Sequence, residues 1–248
     1  MKKLIIALVT LLPALALAAG GGAPTLKAPI DPTDKASLQN GAKLFMNYCF
    51  GCHDTQYQRY NRVAKDLGIP EDLMKENLIF TDAKIGELML NTTSDAQGAK
   101  WFGATPPDLT LVTRSRGTDW VYTYLKSFYV DPERPFGVNN PLLPGVGMPH
   151  VLQGLQGVPT AQFTTDADGV KHLVTDEHGI AIIETDGTGE LSDDEFDTAV
   201  ADLTNFLNYA GEPSKLERQS LGYWVLGFLA IFFVISYLLK KEFWRDVH

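Results

Sequence analysis

The stretch NGAKLFMNYCFGCH, residues 40–53, decides how this 248-residue chain is read. Its last five residues, Cys49-Phe50-Gly51-Cys52-His53, have the C-x-x-C-H spacing of c-type haem attachment. Two thiols three positions apart at a helix end can each add across one vinyl group of the same porphyrin. The next residue then stands under the iron, where an imidazole nitrogen can bind it. Upstream, Leu38, Ala42, Phe45 and Cys49 repeat at helical spacing, so a helix from Ser37 is expected to run into the motif. A thioredoxin-like C-x-x-C expects a preceding strand, a structural zinc site expects four ligands, and a plain disulfide leaves His53 without a role. Cys49 and Cys52 are the only cysteines in the chain, which excludes a disulfide framework and any all-cysteine metal or iron–sulfur site. The expected cofactor is one covalently bound haem c, held by Cys49, Cys52 and His53.

The second axial position needs a donor from elsewhere. Met46 lies within a turn of the attachment point on the same helix and cannot reach the other face of the ring. Met74 and Met89 stand where a methionine more often fills core. His150, His172, His178 and His248 are the remaining imidazoles, and His248 falls beyond an apolar C-terminal segment. Met148 sits in PGVGMPH (144–150), where glycine and proline stiffen the backbone and let it approach a ring closely. A thioether also favours ferrous iron and raises the potential. Met148 is the expected ligand and His150 the alternative.

Both ends of the chain read as targeting and anchoring segments. Lys2 and Lys3, an apolar run from Leu4 and small residues around Ala16 to Ala18 have the pattern of a secretory signal peptide, residues 1–19. A permanent N-terminal anchor is the rival, against which the shortness of the run and Pro13 count. Leu221 to Leu239 holds 19 residues without a charge. At about 1.5 Å per residue they span about 28 Å, the thickness of a bilayer core. Tyr223, Trp224 and Tyr237 lie near its ends, and Lys240, Lys241 and Arg245 follow, which places that end in the cytoplasm. The expected plan is thus a signal peptide (1–19), a periplasmic haem domain (20–214), a single transmembrane helix (215–241) and a cytoplasmic tail (242–248) on the inner membrane of a bacterium.

The net charge is −9, and it is unevenly placed: residues 161–212 hold 13 acidic side chains against one lysine. No nucleic acid partner is suggested, and a basic protein partner is. Between the ends, helices are expected around residues 58–67, 72–77 and 118–129, with a loop over 98–107. Residues 131–160 are too rich in proline and glycine for a long helix. Val170–Val174 and Gly179–Ile183 suggest a surface hairpin. Ser192-x-x-Glu195 forms a capping box for a helix with Phe196, Val200, Leu203, Phe206 and Leu207 on one face, which Gly211 stops. Residues 184–195 superficially match a calcium loop, but Glu184 stands in first position, the entering segment is strand-like, and the capping box already accounts for Ser192 and Glu195. The fold class is therefore mainly α: a c-type cytochrome core wrapped round one haem, a small β-hairpin excursion and a C-terminal transmembrane helix.

In order along the chain, NGAKLFMNYCFGCH (40–53), YQRYNRVAKDLGI (57–69), TPPDLTLVTRSRGTDWVYTYLKSFY (105–129), PGVGMPHVL (144–152) and LSDDEFDTAVADLTNFLNYAGEP (191–213), followed by one membrane helix, resemble cytochrome c1 of the bacterial cytochrome bc1 complex. The resemblance covers nearly the whole mature chain. It implies a redox subunit of ubiquinol–cytochrome c oxidoreductase that takes electrons from the Rieske iron–sulfur protein and passes them to a soluble cytochrome c, with cytochrome b as a further partner. It implies Met148 as axial ligand, Arg116 beside a haem propionate, and the Pro106-Pro107 loop packed on the haem. His150, directly after Met148-Pro149, departs from mitochondrial members. The alternative is a membrane-anchored haem sensor or catalytic cytochrome with an open sixth position.

Overall fold

The computed structural model describes residues 23–246, so the expected signal peptide lies outside the described residues. In chain order, helix α1 (Lys35–Leu44) is followed by strand β1 (Thr55–Arg59), helices α2 (Tyr60–Leu67) and α3 (Glu71–Asn77), strand β2 (Leu88–Met89) and helices α4 (Asp95–Phe102), α5 (Val112–Arg116) and α6 (Thr118–Lys126). Strands β3 (Tyr129–Val130) and β4 (Val138–Asn139), the one-turn helix α7 (Gln153–Gln156) and strands β5 (Pro159–Ala161), β6 (Phe163–Thr165), β7 (Lys171–Leu173) and β8 (Ile183–Thr185) come next. Two long helices close the chain, α8 (Asp193–Gly211) and α9 (Lys215–Phe243). The chain is mainly helical, with strands only in short antiparallel pairs.

Helix α1 starts at Asp34, whose carboxylate accepts from the amides of Ala36 and Ser37 and so satisfies donors the helix leaves unpaired. It runs into the cysteine motif as expected, but its final turn widens to a π-helical one over Phe45–Cys49. Helix α8 begins at the capping box of Ser192 and Glu195, and its five expected core residues are all buried. The two helices cross at close range. A Cβ built on Gly41 would stand 2.0 Å from the carbonyl oxygen of Asp202, and beside this point Asn40 donates to the Asp202 carboxylate at 2.8 Å. Phe45 and Phe206 meet across the crossing with ring centroids 5.5 Å apart, and Phe50 and Tyr60 extend the aromatic core.

Gly41→Ala should therefore push the two helices apart. Overpacking of a core costs about 1–3 kcal/mol, and a contact this short belongs at the upper end. At about 2–4 °C per kcal/mol for a domain of this size, the thermal midpoint of the detergent-solubilised chain should fall by about 6–12 °C. An unchanged midpoint would mean that the crossing is looser than described.

Several boundaries differ from expectation, each for a local reason. Gln58 and Arg59 belong to β1, which pairs with β2 and carries Met89 into the core. The expected loop over 98–107 is half helix: Ser94 and Gln97 form a reciprocal capping box that starts α4. Helix α6 stops at Lys126, and Tyr129 joins β3 instead. Val170–Val174 and Gly179–Ile183 meet as a hairpin at the Asp176–Gly179 turn, where the Asp176 amide donates to the Ile180 carbonyl and the Ile182 amide to the Val174 carbonyl, and each also pairs with a further strand. Strand β7 pairs with β6 and β8 with β5, and one bridge, Thr175 to Ala181, links the two segments.

Much of the acidic excess in 161–212 has structural work. Asp166, Asp176 and Asp186 each accept backbone amides within a turn. Their carboxyls are held below the usual range, Asp166 chiefly by the His172 side chain, Asp186 chiefly by the Thr188 hydroxyl and Asp176 chiefly by the Ile180 amide. Asp193, Asp194 and Glu195 occupy the first turn of α8, where the helix dipole favours negative charge. Glu212 pairs with Arg114 and Arg218, and Asp197 with Lys126.

Helix α9 extends two residues past the expected span, to Phe243. Among the described residues it is the one helix long and apolar enough to cross a membrane, and none of its apolar window is covered by the rest of the protein. A continuous exposed apolar surface of this length needs a lipid or protein environment.

Candidate functional site

A mostly apolar cavity of about 360 Å³ lies in the body of the domain. Cys49, Cys52, His53, Pro107, Arg116 and Met148, which the sequence offers from four separate segments, all line it. A larger and more open groove of about 790 Å³, between α1 and the start of α8, contains none of these six.

The cysteine wall follows from the end of α1. After the π turn, the amides of Cys52 and His53 both donate to the Cys49 carbonyl, at 3.1 and 2.9 Å, which folds the motif into a tight turn. Cys49 is buried, Cys52 is half-buried, and no disulfide joins them. Burial pushes the Cys49 thiol up to about 12 and raises that of Cys52 as well. Thiol–disulfide catalysts need the opposite, a stabilised thiolate, so this C-x-x-C is not built for dithiol exchange.

His53 is held by its neighbour loop. Its Nδ1 lies 2.7 Å from the carbonyl oxygen of Pro107. A carbonyl only accepts, so Nδ1 carries the proton and Nε2 keeps a free lone pair. Metal-binding histidines are characteristically oriented in this way, through the nitrogen that does not bind. Burial lowers the His53 pKa despite that bond and the nearby Asp54 and Asp108 carboxylates, so the ring is a neutral donor. Pro107 thus serves through its backbone, and the Pro106-Pro107-Asp108-Leu109 loop is stapled in place. The Asp108 carboxylate accepts from the amides of Gln56 (2.7 Å) and Thr110 (3.0 Å), and the Leu109 amide donates to the Asp54 carbonyl (2.9 Å).

Met148 arrives on the proline- and glycine-rich segment. Its approach is fixed at Gly145, which sits at φ +79, where a side chain would be strained. The Gly145 amide donates to Asn139 Oδ1 at 2.8 Å, and Arg134 Nη2 donates to the Gly145 carbonyl at 2.6 Å. The Met148 side chain packs against a small cluster of Phe128, Val138 and Val146. Tyr124 donates its hydroxyl to Met148 Sδ at 3.4 Å.

The other candidate donors lie elsewhere. His150 is buried outside the cavity lining, stacked on Phe128 with centroids 4.9 Å apart, and its Nε2 is 2.7 Å from Gln156 Oε1. Burial pushes its pKa down to about 4. Met46, Met74 and Met89 are buried core residues that do not reach the cavity. His172 and His178 stand exposed on the β excursion, and His172 is paired with Asp166. Arg116 is exposed at the cavity rim with its guanidinium 5.1 Å from the Trp120 ring centre, whereas its neighbour Arg114 is committed to Glu212. Trp120 and Tyr124, which the sequence shows only as helical aromatics, also face the cavity, stacked at 5.0 Å.

Comparison with known proteins adds a family to this geometry. A family model described as "Cytochrome C1 family" matches residues 25–247. A protein of Allochromatium vinosum named "Cytochrome c1" is 55% identical over 250 residues, covering all of both chains. "Ammonia monooxygenase gamma subunit" of Nitrosomonas europaea is 41% identical, with 100% of this chain and 99% of that protein covered. "Cytochrome c1, heme protein, mitochondrial" of Schizosaccharomyces pombe is 26% identical over 86% of this chain and 68% of its own.

Proposed function

Since the chain belongs to the cytochrome c1 family, we propose that it takes electrons from a Rieske iron–sulfur protein and passes them to a soluble cytochrome c, within a cytochrome bc1 complex that also contains cytochrome b. The observation that carries the proposal is the single cavity on which Cys49, Cys52, His53 and Met148 converge. Its apolar lining and its neutral, oriented imidazole fit one haem c, attached through both thiols and ligated by His53 and Met148. When bound, the iron supplies a one-electron couple between the ferric and ferrous states.

The residues of this chain do the rest. The Pro107 carbonyl fixes the His53 tautomer, so the ligand is presented without reorganisation. The apolar walls keep water from the metal, which disfavours the extra positive charge of the ferric state and raises the potential. Arg116, braced on Trp120 at the rim, is placed to pair with a propionate. Helix α9 anchors the domain in the inner membrane with the haem side in the periplasm, as the lysines and arginine after it suggest. The chain alone is then an electron carrier, and it is a redox enzyme only as part of the complex.

Isolating the full-length chain from solubilised membranes tests this directly. The expected result is a band at the chain's mass that stains for haem after denaturing electrophoresis, recovered with a cytochrome b and a Rieske protein. The preparation should reduce added cytochrome c from a quinol, and the oxidised protein should show the weak near-infrared charge-transfer band of methionine-ligated iron. A haem-stained chain recovered alone, without that band, would favour the open-site sensor instead.

A further inference from the structure

Tyr124 is a polar group of the cavity lining that the account so far leaves without a role in haem retention. It sits on α6 one turn after Trp120 and is clamped on two sides, stacked on Trp120 at 5.0 Å and edge-on to Phe128 at 5.1 Å. The helix beneath it is held as well: Asn140 Nδ2 donates to the Tyr124 carbonyl at 2.8 Å. A phenylalanine would fill the same stack. What tyrosine adds is a hydroxyl, and that hydroxyl points at Met148 Sδ, 3.4 Å away. A thioether has no hydrogen to give, so the donor is the phenol and the acceptor is the sulfur.

We propose that Tyr124 is a positioning residue for the redox site, whose O–H···S bond to Met148 raises the reduction potential of the bound haem. The proposal rests on Met148 being the axial ligand. Sulfur carries two lone pairs, so one can bind iron while the other accepts the phenol proton. The bond acts on the iron in two ways with one sign. It draws electron density from the sulfur, and ferric iron depends on that density more than ferrous iron does. It also brings the donor's partial positive charge beside the ligating sulfur, which would disfavour the state with the greater positive charge. Both effects destabilise ferric relative to ferrous. Because the ring is wedged between Trp120 and Phe128, the dipole holds its direction in both oxidation states.

The size of the effect follows from the worth of one hydrogen bond. One hydrogen bond shifts an equilibrium roughly two- to tenfold in all, sulfur is a weak acceptor, and only the part of the bond that differs between ferric and ferrous iron moves the midpoint. Tyr124→Phe should therefore shift the ferric-to-ferrous ratio at a fixed ambient potential about two- to fivefold toward ferric.

The experiment is a redox titration of the full-length protein in membranes, for the parent, Tyr124→Phe and Met148→Leu, together with the near-infrared spectrum of each oxidised form. Tyr124→Phe is expected to keep its covalent haem and its charge-transfer band, with the midpoint moved negative by that ratio. An unchanged or more positive midpoint in Tyr124→Phe, beside a large negative shift in Met148→Leu, would overturn the role of the hydrogen bond and leave the ligand assignment standing. If Met148→Leu itself kept the parental band and midpoint, the ligand assignment would fall, and the inference with it.

Discussion

Cys49→Ala combined with Cys52→Ala is expected to remove haem staining from the chain completely and to cut its steady-state amount sharply. The first effect is covalent: with both thiols gone, nothing ties a porphyrin to the polypeptide through denaturing electrophoresis. The second is energetic. The cavity on which the two cysteines stand measures about 360 Å³. Without haem its apolar walls would lose their packing partner and face water, at about 25 cal/mol for each Å² left exposed. A domain's whole net stability is about 5–15 kcal/mol, so a chain that cannot retain its haem should unfold and be degraded. Haem staining and immunoblotting of the same membranes separate the two effects. A haem-stained band at normal mass and abundance in the double variant would contradict the attachment outright.

How much of this was legible beforehand depended on whether a side chain or a backbone carries the role. The C-x-x-C-H motif, the late methionine, the Ser192–Glu195 capping box and the apolar run all announce themselves by residue type and spacing: the first two line one cavity, the box starts α8 and the run forms α9. Pro107 lines the cavity, but its contact with His53 is made by a carbonyl oxygen, which no side-chain pattern encodes. The carboxylate of the neighbouring Asp108 ties the loop to Gln56, far away in sequence, and no local pattern shows that.

Tyr124 was hidden in a different way. In TDWVYTYLKSFY, five aromatics share twelve positions, and periodicity alone does not say which hydroxyl meets a sulfur 24 residues later. The Ser94–Gln97 capping box was present in the sequence, but the glycines at 98 and 103 weighed toward a loop, and tertiary contact decided otherwise. A Cβ at Gly98 would stand 2.6 Å from Pro106 Cδ, so that glycine serves a close approach rather than a helix break. The further partners of the hairpin, β5 and β6, were not legible, because three-residue strands are too short to show alternation and their pairing is set by the turns at Asp166, Asp176 and Asp186.

The axial pair is the centre of the account, and Met148→Leu tests it most directly. Leucine preserves the packing against Phe128, Val138 and Val146 but has no lone pair to give. The haem should stay, because the proposed thioether bonds are made by Cys49 and Cys52, which the substitution leaves intact. With water or another hard donor in place of sulfur, ferric iron is favoured, so the midpoint should fall by on the order of 0.1–0.2 V, a tenfold change in equilibrium for each 59 mV or so. The domain would then draw electrons less readily from a high-potential Rieske centre, and quinol–cytochrome c reductase activity should collapse while the complex still assembles. His150, turned toward Gln156 and stacked on Phe128, offers the comparison: His150→Leu should leave the midpoint nearly where it was. The measurement is a redox titration of both variants in membranes. A large negative shift in Met148→Leu alone is the predicted result. A normal midpoint in Met148→Leu, with the shift appearing in His150→Leu, would contradict it.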